Sequence, residues 1–205
     1  LRSTRLNADQ IWTAICRLEV MHLDLEEYDE PQRIFESLNS PGLELKESDK
    51  IRNYVLMGLD TTKQEELYNE RWNPIEANCR FQTDSFIRWY LTTYTTKTPR
   101  EQDVYEAFKG FASKRKAKMP ELLDDLFAYS KYFREIREAD TGYPEVDTQL
   151  KRMNEFMGAV VLPFLMPLLR DVHEHKTTPE DFLEVLLTIE SYIVRRFVTG
   201  IATNS

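Results

Sequence analysis

The sequence predicts a mainly α fold, a multi-helix bundle of about nine helices with at most one short strand near 20–25. Three observations carry that expectation. Capped helix starts recur along the chain, apolar residues repeat at steps of three and four, and only six glycines interrupt 205 residues. Period-two alternation, the mark of a half-buried strand, is confined to one short stretch.

The first helix follows Asn7-Ala-Asp-Gln10, a capping box in which the Asn7 side chain accepts from the Gln10 amide. Its stripe is Ile11, Ala14, Ile15 and Leu18. Val20 to Leu25 breaks that period and supplies the strand candidate. Arg33 to Tyr54 reads as a helical hairpin. Ile34, Phe35 and Leu38 end at Asn39, Gly42 after Pro41 permits the positive φ of a tight turn, and Ile51, Tyr54 and Val55 face inward on the second helix. Helices then follow over 62–73, 84–95, 99–117, 119–138, 144–157, 159–173 and 179–199. Thr98-Pro99-Arg100-Glu101 and Thr178-Pro179-Glu180-Asp181 share one start logic: a hydroxyl cap, a proline where no amide is needed, and an acid in the third helical position. Leu122, Leu126, Tyr129, Phe133 and Ile136 form the packed face of the helix from Pro120. Asp140-Thr-Gly-Tyr-Pro144 is the clearest loop and is read as an internal divide.

Composition bounds the function. With 35 acidic against 27 basic residues the net charge is −8, which disfavours broad coating of a phosphate backbone. Cys16 and Cys79 form neither a CxxC pair nor a disulfide framework, so a reducing, cytoplasmic setting is expected. The apolar run Ala159 to Leu169 is too short to span a bilayer and holds Pro163 and Pro167; a buried, kinked helix fits it, and no membrane partner is expected. The start, LRSTRLNADQ, lacks initiator methionine and signal-peptide pattern, which suggests a segment of something larger.

Catalytic patterns are mostly missing. GxxxxGK[ST], GxGxxG and GxSxG do not occur. His173-Glu174-His175 would set its imidazoles about 200° apart on a helix, poor geometry for one metal, so an exposed helix end is expected there and no metal ligands are assigned. Adjacent acids such as Asp124-Asp125 read as solvated faces without a role. Lys114-Arg115-Lys116-Ala117-Lys118 is the one concentrated basic run. It complements a helix C-terminus or touches phosphate, and Arg195-Arg196 carries the same pair of readings, so Lys114, Arg115, Lys116, Lys118, Arg195 and Arg196 are the candidate DNA contacts. In the hairpin, Asn39, Asp49, Arg52 and Asn53 could either line a site shared between two helix ends or clamp the hairpin together, with Asp49 orienting Arg52 or bonding Asn53.

Phe35-Glu36-Ser37-Leu38-Asn39, Gly42 and Ser48-Asp49-Lys50-Ile51-Arg52-Asn53-Tyr54 together resemble the FExLNxxGxxLxxxDxI(K/R)NY pattern of the GmrSD-type bacterial proteins. Ile189-Glu190-Ser191-Tyr192-Ile193-Val194-Arg195-Arg196 resembles the iESYlxRR helix that precedes their nuclease domain. The order is the family's, and the two signatures bracket roughly Asp29 to Ser205. The family resembles NTP-dependent, modification-sensing restriction endonucleases acting on phage DNA, built from a ParB/sulfiredoxin-like N-terminal domain, a helical region and often an HNH nuclease. The resemblance implies that residues 1–60 hold the edge of the N-terminal domain and 61–205 a helical connector. It implies that Glu36, Asn39 and Asp49 complete a nucleotide site lying mostly upstream. The DGQQR motif, an upstream YQRxY-type motif and an HNH pair are not present, so the segment by itself is expected to be inactive and to hold no cofactor, with NTP and a divalent metal belonging to the intact parent. Its partners would be the parent's flanking domains, and DNA through them. Lys46 departs from the pattern, because it cannot accept from helix amides where the family has Ser or Thr; Ser48 is the substitute cap. The competing reading is a non-catalytic all-helical interaction module. A self-contained hydrolase is weakest, lacking nucleophile, metal set and phosphate loop.

Overall fold

The computed structural model describes residues 7–19, 22, 45–115 and 118–200. By their contacts the residues fall into two compact units, Leu1–Gly42 and Leu43–Ser205. Of the first unit the described part is α1, Ala8–Ile15, opened by the expected capping box: Gln10 N donates to Asn7 Oδ1 at 2.8 Å and Asn7 N to Gln10 Oε1 at 3.0 Å. The strand candidate and the first half of the hairpin, including Glu36 and Asn39, lie outside the described residues, as does Lys116.

The second unit is all helix among its described residues. It contains α2 (Glu47–Leu56), α3 (Thr61–Leu67, continued by a π turn at Tyr68–Trp72 and ending as Asn73–Asn78), α4 (Thr83–Thr95) and α5 (Val104–Arg115, after a 3₁₀ turn at Glu101–Asp103). These are followed by α6 (Met119–Glu138), α7 (Pro144–Asn154), α8 (Leu162–His173, after a 3₁₀ turn at Ala159–Val161) and α9 (Pro179–Val198). With α1 this is the mainly α bundle of nine helices, counted over the described residues. No helix among them is long and apolar enough to cross a membrane.

α6 is the hub, with α3, α4, α7 and α8 packed on it. Its expected stripe is the one it buries: Leu122, Leu126, Tyr129, Phe133 and Ile136 all lie in the core. The helix α2, grouped with the N-terminal part in the sequence reading, buries Ile51 and Val55 in this same core. The loop after α6 does not divide the second unit. Asp147 in the first turn of α7 accepts from both the amide and the hydroxyl of Thr141, at 2.7 and 2.6 Å, and α7 packs back on α6.

Two prolines shape helices in ways periodicity does not reveal. Pro74 has no N–H, and its ring crowds the carbonyl four residues earlier, so a helix reaching it is expected to stop near 73. Instead the chain widens by a π turn just before Pro74 and continues to Asn78, which sets Trp72 and Ile75 fully in the core. Pro167 sits inside α8 and cannot bond the carbonyl of Pro163. That carbonyl accepts instead from the Thr93 hydroxyl of α4, at 3.0 Å.

Other helix bounds also differ from expectation. α5 begins at Val104 rather than 99, because Thr98 bonds Thr92 and Pro99's carbonyl is held by Arg88 Nε at 2.7 Å, leaving no hydroxyl over the helix amides. α7 stops at Asn154, where Asn154 Nδ2 turns to the carbonyls of Ile136 and Arg137 at 2.9 and 3.2 Å. Ser48 is not the cap of α2: the side chain of Asp84, reaching from α4, accepts from the Ser48 amide at 2.6 Å.

Candidate functional site

The described half of the hairpin cluster is built on α2. Its first turn carries Asp49, and one turn later Arg52 reaches back, with Nη2 3.1 Å from Asp49 Oδ1. The same guanidinium extends to α3, where Nη1 lies 3.6 Å from Glu76 Oε1. Glu76 in turn accepts from the indole N–H of buried Trp72 at 2.9 Å. Asp49, Arg52, Glu76 and Trp72 therefore form one chain of polar contacts tying α2 to α3. Asn53, half-buried beside them, lies on the same helix. Asp49 and Arg52 keep 26% and 28% of their side chains exposed, so the cluster reaches the surface.

The start of α2 is linked to two further helices. While Asp84 serves the Ser48 amide, Glu47 Oε2 accepts from the Tyr105 amide at the start of α5, at 2.7 Å, and Glu47 Oε1 pairs with Lys50 at 2.7 Å. Carboxylates at these N-termini also complement the positive end of each helix dipole. Exchanged caps of this kind fix the mutual placement of α2, α4 and α5.

The basic candidates separate. Lys114 and Lys118 are exposed. Arg115 is drawn inward: Nη1 lies 2.7 Å from Asp125 Oδ2 and 3.2 Å from the Tyr90 hydroxyl, and its guanidinium covers the Tyr94 ring at 4.9 Å. On α9, Arg195 is exposed and Arg196 lies against Tyr192, donating to its hydroxyl at 2.6 Å.

Asp125 is the residue the sequence reading passed over. It accepts from the hydroxyls of Tyr90 and Tyr94 at 2.6 and 2.8 Å as well as from Arg115. The Tyr90 and Tyr94 rings stand 5.4 and 5.7 Å from Tyr129, whose hydroxyl receives Arg170 Nη1 at 2.8 Å. Burial pushes the phenols of Tyr90, Tyr94 and Tyr129 up, and Asp125 adds to the rise by favouring the neutral donor. Burial opposes the charge on Arg115, but its hydrogen bond to Asp125 and the nearby phenols more than offset that, and its pKa rises. These groups stay in their neutral-phenol and charged-guanidinium forms, which suits cross-bracing and not proton transfer. Asp124 lies on the solvated face expected for it, 57% exposed, and there accepts from Arg71 Nε at 2.6 Å. The available signal was spacing: Tyr90 and Tyr94, and Asp125 and Tyr129, are i,i+4 pairs on helices whose adjacency the sequence does not state.

The histidine triplet also splits. His173 Nε2 lies 2.7 Å from Glu135 Oε2 and its ring stacks on Tyr132 at 5.6 Å, half-buried where an exposed helix end was expected. His175 is exposed. Among the described residues no three His, Cys, Asp or Glu side chains gather as a metal site.

A last feature is apolar. α9 contributes Phe182 and Leu186 to the core, and from there on it holds no buried residue. Leu187, Tyr192, Val194, Phe197 and Val198 are exposed, Phe197 by 86% and Val198 by 77%. Beside its first half an open groove of about 500 Å³ is lined by Phe164 of α8 and by Asp181, Glu184, Val185, Thr188 and Ile189 of α9. No protein-family model, no curated protein and no solved structure matches the chain.

Proposed function

We propose that this chain is a non-catalytic helical docking and connecting module, and that the surfaces it engages are flanking domains of a larger NTP-dependent, modification-sensing DNA restriction enzyme. The apolar end of α9 carries the docking part of this reading. Exposed Val194, Phe197 and Val198 would each contribute about 1.5–3 kcal/mol on full burial, so covering them releases on the order of 5 kcal/mol before the entropy of association. The segment that resembles the helix before the family's nuclease, Ile189 to Arg196, lies in this same stretch. Internal bonding of Arg115 and of the tyrosine cluster supports a rigid connector. DNA contact, in this reading, belongs to the flanking domains. The test uses the full-length protein. Val194→Glu with Phe197→Glu should leave the unfolding midpoint of this chain near its parent value while lowering NTP-stimulated DNA cleavage at least about tenfold, a loss of about 1.4 kcal/mol in coupling. Unchanged cleavage would end the docking assignment.

A second reading, in which the hairpin supplies the edge of the nucleotide site, is favoured by the surface access of Asp49 and Arg52. Asn39→Ala in the full-length protein should then abolish NTP turnover with folding preserved. Normal turnover removes Asn39 from that site.

A further inference from the structure

At one end of the second unit, the last turns of α3 and α6 border a common pocket. Beyond Asn78 the chain passes through buried Cys79 and then places Arg80 and Phe81 at φ 47° and 60°, a left-handed conformation that side chains other than glycine rarely adopt. Backbone bonds from Arg80 N to Ala77 O and from Phe81 N to Glu76 O, at 3.0 and 2.9 Å, hold this turn. The pocket has a volume of about 150 Å³ and is bordered by Asn78, Arg80, Gln82, Arg134, Arg137 and Glu138, with Cys79 and Phe133 among its lining.

Three arginines and one carboxylate line this recess, in a protein whose net charge is −8. Glu138 is engaged by Arg80, whose Nη2 and Nε stand 2.6 and 2.8 Å from Glu138 Oε1. Arg134 reaches only the Asn78 amide oxygen, at 3.4 Å, and among the described residues neither Arg134 nor Arg137 has a carboxylate partner. Basic residues near a helix C-terminus commonly serve its last carbonyls. Here that duty is already met: the Ile136 and Arg137 carbonyls accept from Asn154 Nδ2, and the Glu135 carbonyl from the amides of Ala139 and Asp140. Two guanidiniums are left facing a polar recess backed by buried apolar side chains, and such low-dielectric walls strengthen the attraction for an anion.

We propose that this recess binds a phosphate-class oxyanion, with Arg134 and Arg137 as its charged donors and Gln82 and Arg80 at its edge. At about 30 Å³ per water the volume holds about five waters, which is more room than the five bonded heavy atoms of one phosphate need. Planar guanidiniums match two oxygens of such a group at once. Next to Gln82 in the chain, Phe81 is 75% exposed and offers a face on which the base of a nucleoside monophosphate stacks. This assignment stands independently of the docking role given to α9.

The experiment is a titration of the whole chain with inorganic phosphate, matched in ionic strength by chloride and followed by amide chemical shifts. Saturable shifts confined to Gln82, Arg134, Arg137 and their neighbours are expected. Arg134→Gln with Arg137→Gln should weaken phosphate binding at least about tenfold, the order of effect for losing two charged donors. A parallel titration with AMP distinguishes the source of the phosphate group: tighter binding that Phe81→Ala removes assigns a nucleotide, and equal binding assigns free phosphate. Shifts that stay linear, spread over the surface or match those in chloride overturn the proposal. Because the wild-type map needs no variant, it decides even where a substitution impairs folding.

Discussion

Thr98-Pro99-Arg100-Glu101 and Thr178-Pro179-Glu180-Asp181 present the same helix-start pattern and reach different ends. At the second, Asp181 N donates to Thr178 Oγ1 at 3.1 Å, Thr178 N returns to Asp181 Oδ2 at 3.3 Å, and α9 starts at Pro179. At the first, the hydroxyl bonds elsewhere, α5 starts at Val104, and the cap comes from Glu47, 58 residues away. The difference lies in the surroundings. The capping residues of α9 are exposed, so water and the helix's own residues are the available partners; α5 starts against α2 and α4, and a carboxylate from a neighbour satisfies its amides at shorter distance.

The contrast can be strained from its tertiary side first. Asp125→Ala removes one acceptor shared by Tyr90, Tyr94 and Arg115, and should cost about 2–4 kcal/mol in urea unfolding, since buried donors lose their partner while the cluster is only partly open to water. An effect below about 1 kcal/mol would mean that the tyrosine cluster does not brace α4, α5 and α6. Glu47→Ala and Asp84→Ala should each cost about 1–3 kcal/mol, by leaving the Tyr105 or Ser48 amide without its acceptor. Thr178→Ala, the local counterpart, should cost about 1 kcal/mol. If Thr178→Ala cost more than both tertiary caps, the distinction drawn between the two starts would fail.

The smallest expected effect concerns pH. Glu190 of α9 is held below the ordinary carboxylate range, first by the hydrogen bond from Gln149 and then by Arg152, both on α7. A depressed folded-state pKa stabilises the fold above the unfolded value, and this contribution fades as pH falls below about 4.5 toward the folded value. Glu190→Gln should therefore lower stability near neutrality and change it little once pH has fallen below the folded value, which flattens the acid limb of the stability profile. An unchanged acid limb would separate Glu190 from the α7–α9 contact.

The same division runs through the fold and the candidate sites. α1, α6 and α9 were legible because their evidence is local: a capping box spans three residues, and an apolar stripe repeats every three or four. The π turn before Pro74 was not, since whether a helix stops or widens at a proline depends on what Trp72 and Ile75 gain by burial beyond it. For the hairpin, Asp49 and Arg52 were rightly seen as neighbours, one turn apart, while Glu76 and Trp72, which complete that contact, come from α3. Arg115 and Asp125 illustrate the limit most plainly. Each belongs to its own charged run, one fitting a helix-end complement or a phosphate contact and the other a solvated face, because charge runs reveal composition and not which run faces which.

What the residues determined alone is where helices form and which stripe of each is apolar, because rotamer strain, capping and periodic burial act within a few positions. The tertiary arrangement decided which polar groups are used up and which remain available. A carboxylate ten or fifty residues distant changes the role of an arginine as soon as it comes within about 3 Å, and that proximity follows from how the apolar stripes pack together.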